Sequence, residues 1–382
     1  MTPAARLSAA IEVLDAILLG QAPEMVLTNW GRANRFAGSG DRGAIRDLVY
    51  DALRCRASFA ALGGGLTGRG LVLGGVRAAG LEEGALFSGE GHAPSKVTSL
   101  DEGHIPQGYD AVDCPPWLGP KLEATLGADF KPTLAALQSR APVFLRVNLA
   151  RLTREAAMAG LAAEGIGTKP VSWVHTALEV TDNARKVQTS EGYQTGLVEL
   201  QDASSQAVVA GLYLTPNAKV LDYCAGGGGK ALALAARGAK VWAHDAFPAR
   251  MADLPARSSR AGQRIMITAD PADTKPYDVV LTDVPCSGSR SWRRDPAGKW
   301  ALTEARLADL CALQAQIMDD VAPLVRHGGT LAYATCSLLA EENEAQVAAF
   351  LGRHSGWISK TQKRFSPLTG GDGFFLATLT RT

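Results

Sequence analysis

Two short segments of this chain place cysteine where nucleophilic chemistry is feasible. One is Asp283-Val284-Pro285-Cys286-Ser287-Gly288 and the other is Thr335-Cys336-Ser337. Each thiol lies among small residues, just past a segment that reads as a buried strand. A soft thiolate of low pKa suits a reaction in which the nucleophile must add and later depart. Methylation of cytosine at carbon 5 is such a reaction. That carbon is too poor a nucleophile to take a methyl group unaided. Thiolate addition at carbon 6 turns carbon 5 into an enamine carbon, and loss of the carbon 5 proton with expulsion of the thiolate restores the ring. A carboxyl group near ring nitrogen 3, such as Asp283, would steady the positive charge that builds up on addition. A second thiol would assist the elimination. An isolated cysteine at a strand end is more often packing than nucleophile. Cys55, Cys114 and Cys311 are read that way, Cys311 lying in a helical pattern beside its apolar stripe.

A second feature lifts Cys286 and Cys336 above that background. Residues 219–238, KVLDYCAGGGGKALALAARG, read as a buried strand, a loop of four glycines (Gly226, Gly227, Gly228, Gly229) and a helix. Missing side chains let a ligand approach the backbone, and a helix N-terminus offers free N–H groups. A phosphate-binding P-loop is excluded, because Cys224 stands at its first glycine and Ala231 at its hydroxyl residue. A dinucleotide loop matches Gly226, Gly228 and Ala231, with Asp245 placed for a ribose, but the match is weak by itself. An S-adenosylmethionine site uses the same strand, loop and helix. Four carboxylates, Asp222, Asp245, Asp270 and Asp283, fall at or near predicted strand ends and favour that third reading. One Asp there is an ordinary turn former; four in phase are harder to dismiss. Asp245 is expected at the ribose hydroxyls and Asp270 at the adenine edge.

The elements that must position these groups alternate. Strands are predicted at 219–223, 240–245, 264–270, 277–283 and 329–337, with helical stretches between most of them. The clearest helix is 302–325, with Leu307, Leu310, Leu313, Ile317, Val321 and Leu324 on one face. Alternation of this kind predicts a parallel, doubly wound α/β sheet whose ligands sit outside the carboxyl ends of the strands. Upstream, residues 143–200 hold strand candidates VFLRVN, VSWV and ALEV and one helix, a small α+β module. Residues 1–60 are helical in pattern, with Leu7, Ile11, Leu14, Ile17 and Leu18 near the helical period. Asp41 is a plausible N-cap for a helix carrying Arg42, Arg46, Arg54 and Arg56. Those arginines read equally as a solvated face or an RNA-contacting one. Residues 60–110 are Gly-rich and read as short helices with a long linker.

Composition narrows the setting without naming a partner. Lys plus Arg number 39 against 38 for Asp plus Glu, so any nucleic-acid surface must be a local patch. The six cysteines form no CxxC pair, which leaves no sign of a zinc or redox site. The N-terminus reads as an amphipathic helix rather than a signal peptide, and no apolar run is long enough to span a membrane. The expectation is a protein of a reducing compartment, the cytoplasm, with free thiols and no membrane or metal.

These residues, taken together, resemble the RsmB/Sun family of RNA cytosine-5 methyltransferases. The pair DVPCSGSRSWRRDP and YATCSLLAEENE carries most of the resemblance, because that family has a PCSG loop and a later TCS loop followed by ENE. QDASSQ (201–206), LRVN (145–148) and the tail GGDGFFLATLTR are similar to further family segments. RFAGSGDRGAIRDLVYDALR (35–54) resembles the helical, NusB-like RNA-binding extension of bacterial members. The resemblance implies a NusB-like region at 1–140, an RRM-like module at 141–200 and a Rossmann-like methyltransferase domain at 201–382. It implies Cys336 as the attacking thiol and Cys286 as the thiol that helps release product. Lys230 and Asp283 are implied to contact cytosine or cofactor. Cys224, Ala225, the four glycines, Lys230, Asp245, Asp270 and Asp283 are implied to hold S-adenosylmethionine. The implied substrate is RNA, ribosomal RNA foremost, taken as a single-stranded or flipped-out cytosine, and the chain is expected to act as a monomer.

The chain departs from the family pattern at three places. Gly226 and Gly227 replace Ala-Pro, Ala231 replaces a hydroxyl residue, and Arg290 replaces a common glycine. Four glycines predict a more flexible loop. Arg290, Arg293, Arg294 and Lys299 form a basic run that could grip phosphates. A DNA cytosine methyltransferase would use the PC-loop cysteine instead, a dinucleotide oxidoreductase would leave both thiols idle, and a non-catalytic scaffold could keep the fold alone.

Overall fold

The computed structural model describes residues 1–382. Two compact units divide the chain, one made of residues 1–140 with 292–301, the other of 141–291 with 302–382. No single helix is long and apolar enough to cross a membrane.

The first unit is helical. Helices Pro3–Leu18, Ser39–Arg54 and Gly68–Ala78 supply its core, with Leu7, Leu14, Ile17, Ile45, Val49, Leu71 and Val76 buried together. The Gly-rich stretch has a packing role. A Cβ at Gly74 would lie 1.9 Å from the carbonyl oxygen of Phe59, so helices Arg56–Gly63 and Gly68–Ala78 meet backbone to backbone. Asp41 is not the N-cap. The helix starts at Ser39 with Gly38 capping it, and the Asp41 carboxylate is taken by Arg6 and the chain's amino terminus. The expected arginine face is also partly consumed. Arg46 pairs with Glu24, Arg56 stacks over Trp300, and Arg54 is buried, its Nε donating to the carbonyl of Arg293 at 2.7 Å.

Residues 292–301 belong to this helical unit although the sequence reads them as catalytic-domain loop. Lys299 is 3% exposed and donates to the Arg54 carbonyl, and Trp300 Nε1 donates to the Leu53 carbonyl. Arg293 donates to Ser139 and to the Arg140 carbonyl. Arg293 and Lys299 are thus spent inside this unit rather than offered to a phosphate. Two of its cations answer the exposed carbonyls at the end of one helix and the stretch after another, where positive charge is favoured.

The second unit holds both sheets. Strands β1 (Val143–Val147), β2 (Thr168–Pro170), β3 (Ala177–Val180) and β4 (Val198–Leu200) form an antiparallel sheet in the order β2-β3-β1-β4. The helix Arg154–Ala163 packs on it through Ala157 and Leu161. VSWV, read as a strand, is a turn instead, and the pairing segment lies just before it at β2. Trp173 leaves the sheet there and donates to the Thr369 carbonyl.

The larger sheet contains β5 (Lys219–Asp222), β6 (Lys240–Ala243), β7 (Ile265–Ile267), β8 (Tyr277–Asp283), β9 (Val325–Thr335), β10 (Trp357–Phe365) and β11 (Phe374–Arg381). Its order is β10-β11-β9-β8-β5-β6-β7. The five predicted strands are parallel neighbours, as a Rossmann-like fold requires. β10 and β11 add an antiparallel pair that the alternation did not announce. β10 escapes pattern reading because residues 359–364 are exposed and polar in sequence, as edge strands often are. β11 is apolar on both faces over Phe374–Leu379 and so shows no period of two. The chain reverses direction across the sheet between β5 and β8, and the loops after β5, β8 and β9 open at that switch point.

Anchoring of the 292–301 segment by Lys299 has a simple consequence. Lys299→Ala should speed tryptic nicking at the exposed Arg294 by on the order of tenfold, read by limited proteolysis. An unchanged cleavage rate would show that Lys299 is not the anchor.

Candidate functional site

The site is built at the ends of three parallel strands. β5 ends at Asp222, β8 at Asp283, and β9 at Thr335, one residue before Cys336. Asp283 stands opposite Ala334 in the β8–β9 register, which brings the loops after the two strands side by side. Between them lies a crevice of about 450 Å³ whose lining includes Cys224, Gly226, Lys230, Asp283, Cys286 and Cys336. Most of the residues singled out for chemistry thus converge on one cleft, though Asp245 and Asp270 are not in its lining.

The two thiols touch. Cys286 Sγ and Cys336 Sγ are 3.0 Å apart, and the backbone N–H of Cys336 donates to Cys286 Sγ at 3.3 Å. Their ionisation is divided between them. The hydrogen bond from Cys286 lowers the pKa of Cys336, and the Arg290 and Lys230 cations act in the same direction, against burial and the charge of Asp283. Cys286 is pushed well above the usual thiol range by that same bond, by burial and by the negative charges of Cys336 and Glu342. These opposed shifts favour ionisation at Cys336 over Cys286.

Cations frame the thiols. Lys230, in the first turn of helix Gly229–Ala236, is 7% exposed and pairs with the Asp283 carboxylate. Its Nζ lies 4.8 Å from the centre of the Phe374 ring, and the Arg290 guanidinium lies 3.9 Å from that centre. Arg290 is therefore a site residue, where the sequence had placed it in a phosphate-gripping run. The Arg290 Nε and Nη1 atoms are buried without hydrogen-bond partners. Phe374, in the tail segment GGDGFFLATLTR, is what the two cations share, a role with no signature in spacing.

The four-glycine loop is held rather than loose. Gly226 and Gly228 have φ of +51° and +79°, which glycine alone adopts without strain. Arg257 Nη1 donates to the Gly227 carbonyl, and Arg146 Nη1 donates to the Gly229 carbonyl at 2.6 Å. Arg146 sits on β1 and is also bound by Gln201, while Glu199 at β4 pairs with Arg257 and Arg260. Burial lowers the pKa of Arg146 to about 10, which leaves it charged at neutral pH. The LRVN and QDASSQ segments are thus the outer support of the loop. The expected flexibility is answered by guanidinium groups that satisfy its carbonyls.

The carboxylates divide into three kinds. Asp245 is 4% exposed, and its oxygens accept from the Gly226 and Phe247 amides at 2.9 Å each, fixing the loop against the end of β6. Asp270 is exposed and caps a turn by accepting from Ala272 N–H at 2.8 Å; it is not among the residues lining the crevice. Asp222 lines the crevice, is 1% exposed, and neither oxygen makes a regular hydrogen bond. Burial raises its pKa to about 7, against the opposing pull of Lys230 and the Ala231 amide. Cys224 is likewise pushed up by burial, so it lines the crevice as a neutral thiol.

A buried acid without partners, a glycine cradle and a helix N-terminus fit a ligand that brings its own cation or hydrogen-bond donors. A strand, glycine loop and helix facing such an acid, on a sheet with an added antiparallel pair, define a Rossmann-like methyltransferase domain. Residues 209–380 match the family model described as 16S rRNA methyltransferase RsmB/F, and residues 114–188 match the ferredoxin-like domain of RsmF/B-like methyltransferases. Over these residues the chain is similar to the RsmB/F methyltransferase family.

Ribosomal RNA small subunit methyltransferase B of Citrobacter koseri is 34% identical over 282 residues, which cover 69% of this chain and 66% of that protein. The match thus spans slightly under two thirds of that relative. Among solved structures, PH0851 matches with a TM-score of 0.77 at 21% identity over 100% of this chain and 99% of its own. A methyltransferase homolog from Pyrococcus horikoshii matches with a TM-score of 0.63 at 21% identity, covering 72% of this chain and 97% of that one. At these identities the structural likeness is one of fold.

Two outcomes follow. In the folded protein Asp222 holds a proton to about pH 7, whereas its ordinary pKa is 3.8. The unfolded chain therefore loses that proton first, and stability falls as pH rises from about 4 to about 7. Asp222→Asn should shrink the loss of Tm between pH 5 and pH 8; an equal loss in both proteins would contradict the assignment. Arg146→Gln should raise amide hydrogen exchange across residues 226–230 by on the order of tenfold. Unaltered protection there would mean that the arginine does not restrain the loop.

Proposed function

We propose that this protein transfers a methyl group from S-adenosylmethionine to carbon 5 of a cytosine in ribosomal RNA, with Cys336 as the attacking thiol. The observation that carries the reading is the pair of touching thiols at the mouth of the glycine-loop crevice, one favoured as thiolate and one as thiol. The family match over residues 209–380 supports the same reaction class.

S-adenosylmethionine, when bound, supplies an electrophilic methyl group on its sulfonium. Gly226 to Gly229, Ala225, Cys224 and Asp222 would hold it, with Asp245 and Lys230 completing the cradle and Asp270 at its far edge. The chain's own residues do the rest. Arg290 and Lys230 favour the Cys336 thiolate, which adds to carbon 6 of the cytosine and makes carbon 5 nucleophilic. Asp283, at the end of β8, faces the ring nitrogen and steadies the charge that develops there. Once Cys336 is bonded to carbon, the negative charge that kept Cys286 protonated is gone. Cys286 can then give up its proton to solvent and, as a thiolate, take the carbon 5 proton while the bond from Cys336 to carbon 6 breaks and Cys336 departs as a thiolate. Two thiols with opposed ionisation thus serve two successive steps of one cycle.

The DNA-type mechanism would give the attack to Cys286. The opposed pKa shifts favour Cys336 instead, and so does the cationic pair over Phe374. The reaction needs an unstacked base, so the substrate is a single-stranded or flipped-out cytosine. The proposed setting is the cytoplasm during assembly of the small ribosomal subunit, with the protein acting as a monomer.

Incubation with RNA and cofactor should leave a covalent RNA adduct on Cys286→Ala, because attack proceeds and release stalls, whereas Cys336→Ala should form none. Denaturing gels and bisulfite sequencing of small-subunit RNA read the two results. An adduct on Cys336→Ala with none on Cys286→Ala would reverse the roles.

A further inference from the structure

The two thiol loops end on neighbouring strands, but strand register alone does not fix where their tips meet. One buried side chain joins them. Glu342 lies in the ENE segment after Cys336 and is 0% exposed. Its Oε1 accepts from the Ser287 backbone N–H at 2.8 Å and from Gln314 Nε2 at 2.9 Å. Its Oε2 accepts from the hydroxyls of both Ser287 and Ser337. Ser287 follows Cys286 and Ser337 follows Cys336, so a single carboxylate grips the residue after each sulfur.

The surroundings reinforce this grip. Gln314 also donates to the Pro285 carbonyl at 2.9 Å, one residue before Cys286. Tyr333 donates to the Glu342 carbonyl at 2.6 Å. Asn343 donates to the Ser337 carbonyl at 3.0 Å and accepts from Thr335 Oγ1, which closes the Cys336 turn from both sides. An acid with four donors and no exposure is satisfied where it stands. It does not line the crevice and cannot touch substrate.

We propose that Glu342 is a positioning residue of the reaction, whose buried carboxylate locks the Cys286 loop to the Cys336 loop and holds the two sulfurs in contact. The inference rests on the assignment of these thiols as the reacting pair. A purely structural tie would serve as well without charge. The charge matters because it adds to that of Cys336 in keeping Cys286 protonated. The groups facing Cys286 are Cys336, Glu342 and Tyr333, and those facing Cys336 include Arg290, Lys230 and Asp283. Glu342 bears on Cys286 through its charge while having no place in the crevice.

Glu342→Gln keeps the shape and removes the charge; Glu342→Ala removes the tie. Iodoacetamide labelling of each cysteine between pH 6 and 10, read by mass spectrometry, needs neither RNA nor cofactor. In Glu342→Gln, Cys286 labelling should begin at lower pH than in wild type, while that of Cys336 should stay. In both variants kcat should fall, by on the order of 100-fold in Glu342→Ala, with KM for RNA little changed. Ser287→Ala, a milder cut of the same tie, should lower kcat by a smaller factor and keeps the test valid if Glu342→Ala does not fold. Unchanged labelling in Glu342→Gln, or wild-type kcat in all three variants, would overturn the proposal. Failure of the thiol assignment reads out separately, as an absence of RNA adduct on Cys286→Ala with Glu342 intact.

Discussion

The register between β8 and β9 is the constraint on which the site depends. Asp283 faces Ala334, and the next residues along each strand leave the sheet as the two thiol loops. Side chains alternate along a strand, so a shift by one residue would turn Cys336 to the other face and part it from Cys286. What pins the register is apolar packing on both faces: Leu281, Ala332 and Ala334 face one core cluster, while Val280, Leu331 and Tyr333 face the other. Chemistry at the strand ends thus inherits its precision from a core that contains no reactive group.

Charge is the second organising term. Lys230, Asp283, Asp222, Arg290 and two thiols share a small volume with little access to water. Each would be costly alone in such a place, and each is offset by a neighbour of opposite sign or by an aromatic face. Phe374 is the least obvious of these partners, taking both cations on one ring. Asp222 is the exception. A site built to receive a ligand keeps an acid that the fold itself does not need, at some expense of stability.

Much of this was legible in the sequence. The alternation of strands and helices placed the parallel sheet, and small residues after strand ends singled out Cys286 and Cys336. Lys230 and Asp283 were flagged separately, and the fold makes them an ion pair. The parts that escaped are ties between side chains far apart in sequence. Arg146 to Gly229, Arg257 to Gly227 and Glu342 to Ser287 follow no period and no spacing rule. The segments LRVN, QDASSQ and ENE were noticed as similar to family segments, but nothing local said that they brace the loops. Asp270 illustrates a related limit. A strand-end Asp that caps its own turn looks the same in sequence as one that faces a ligand. Within the Arg290 to Lys299 run, Arg293 and Lys299 reach buried carbonyls, and composition cannot tell such cations from solvated ones.

Residues 292–301 leave the catalytic unit and return to it, and they complete the helical unit on the way. On a ribosome, the first 140 residues emerge long before the stretch that supplies Lys299 and Trp300 to them. The helical unit must therefore wait, with the carbonyls of Leu53 and Arg54 unanswered, until more than half of the catalytic unit has been made. The order of synthesis and the order of assembly differ in this chain. Gene fusions or truncations that treat its two parts as separable beads would cut through a fold that closes only once both are present.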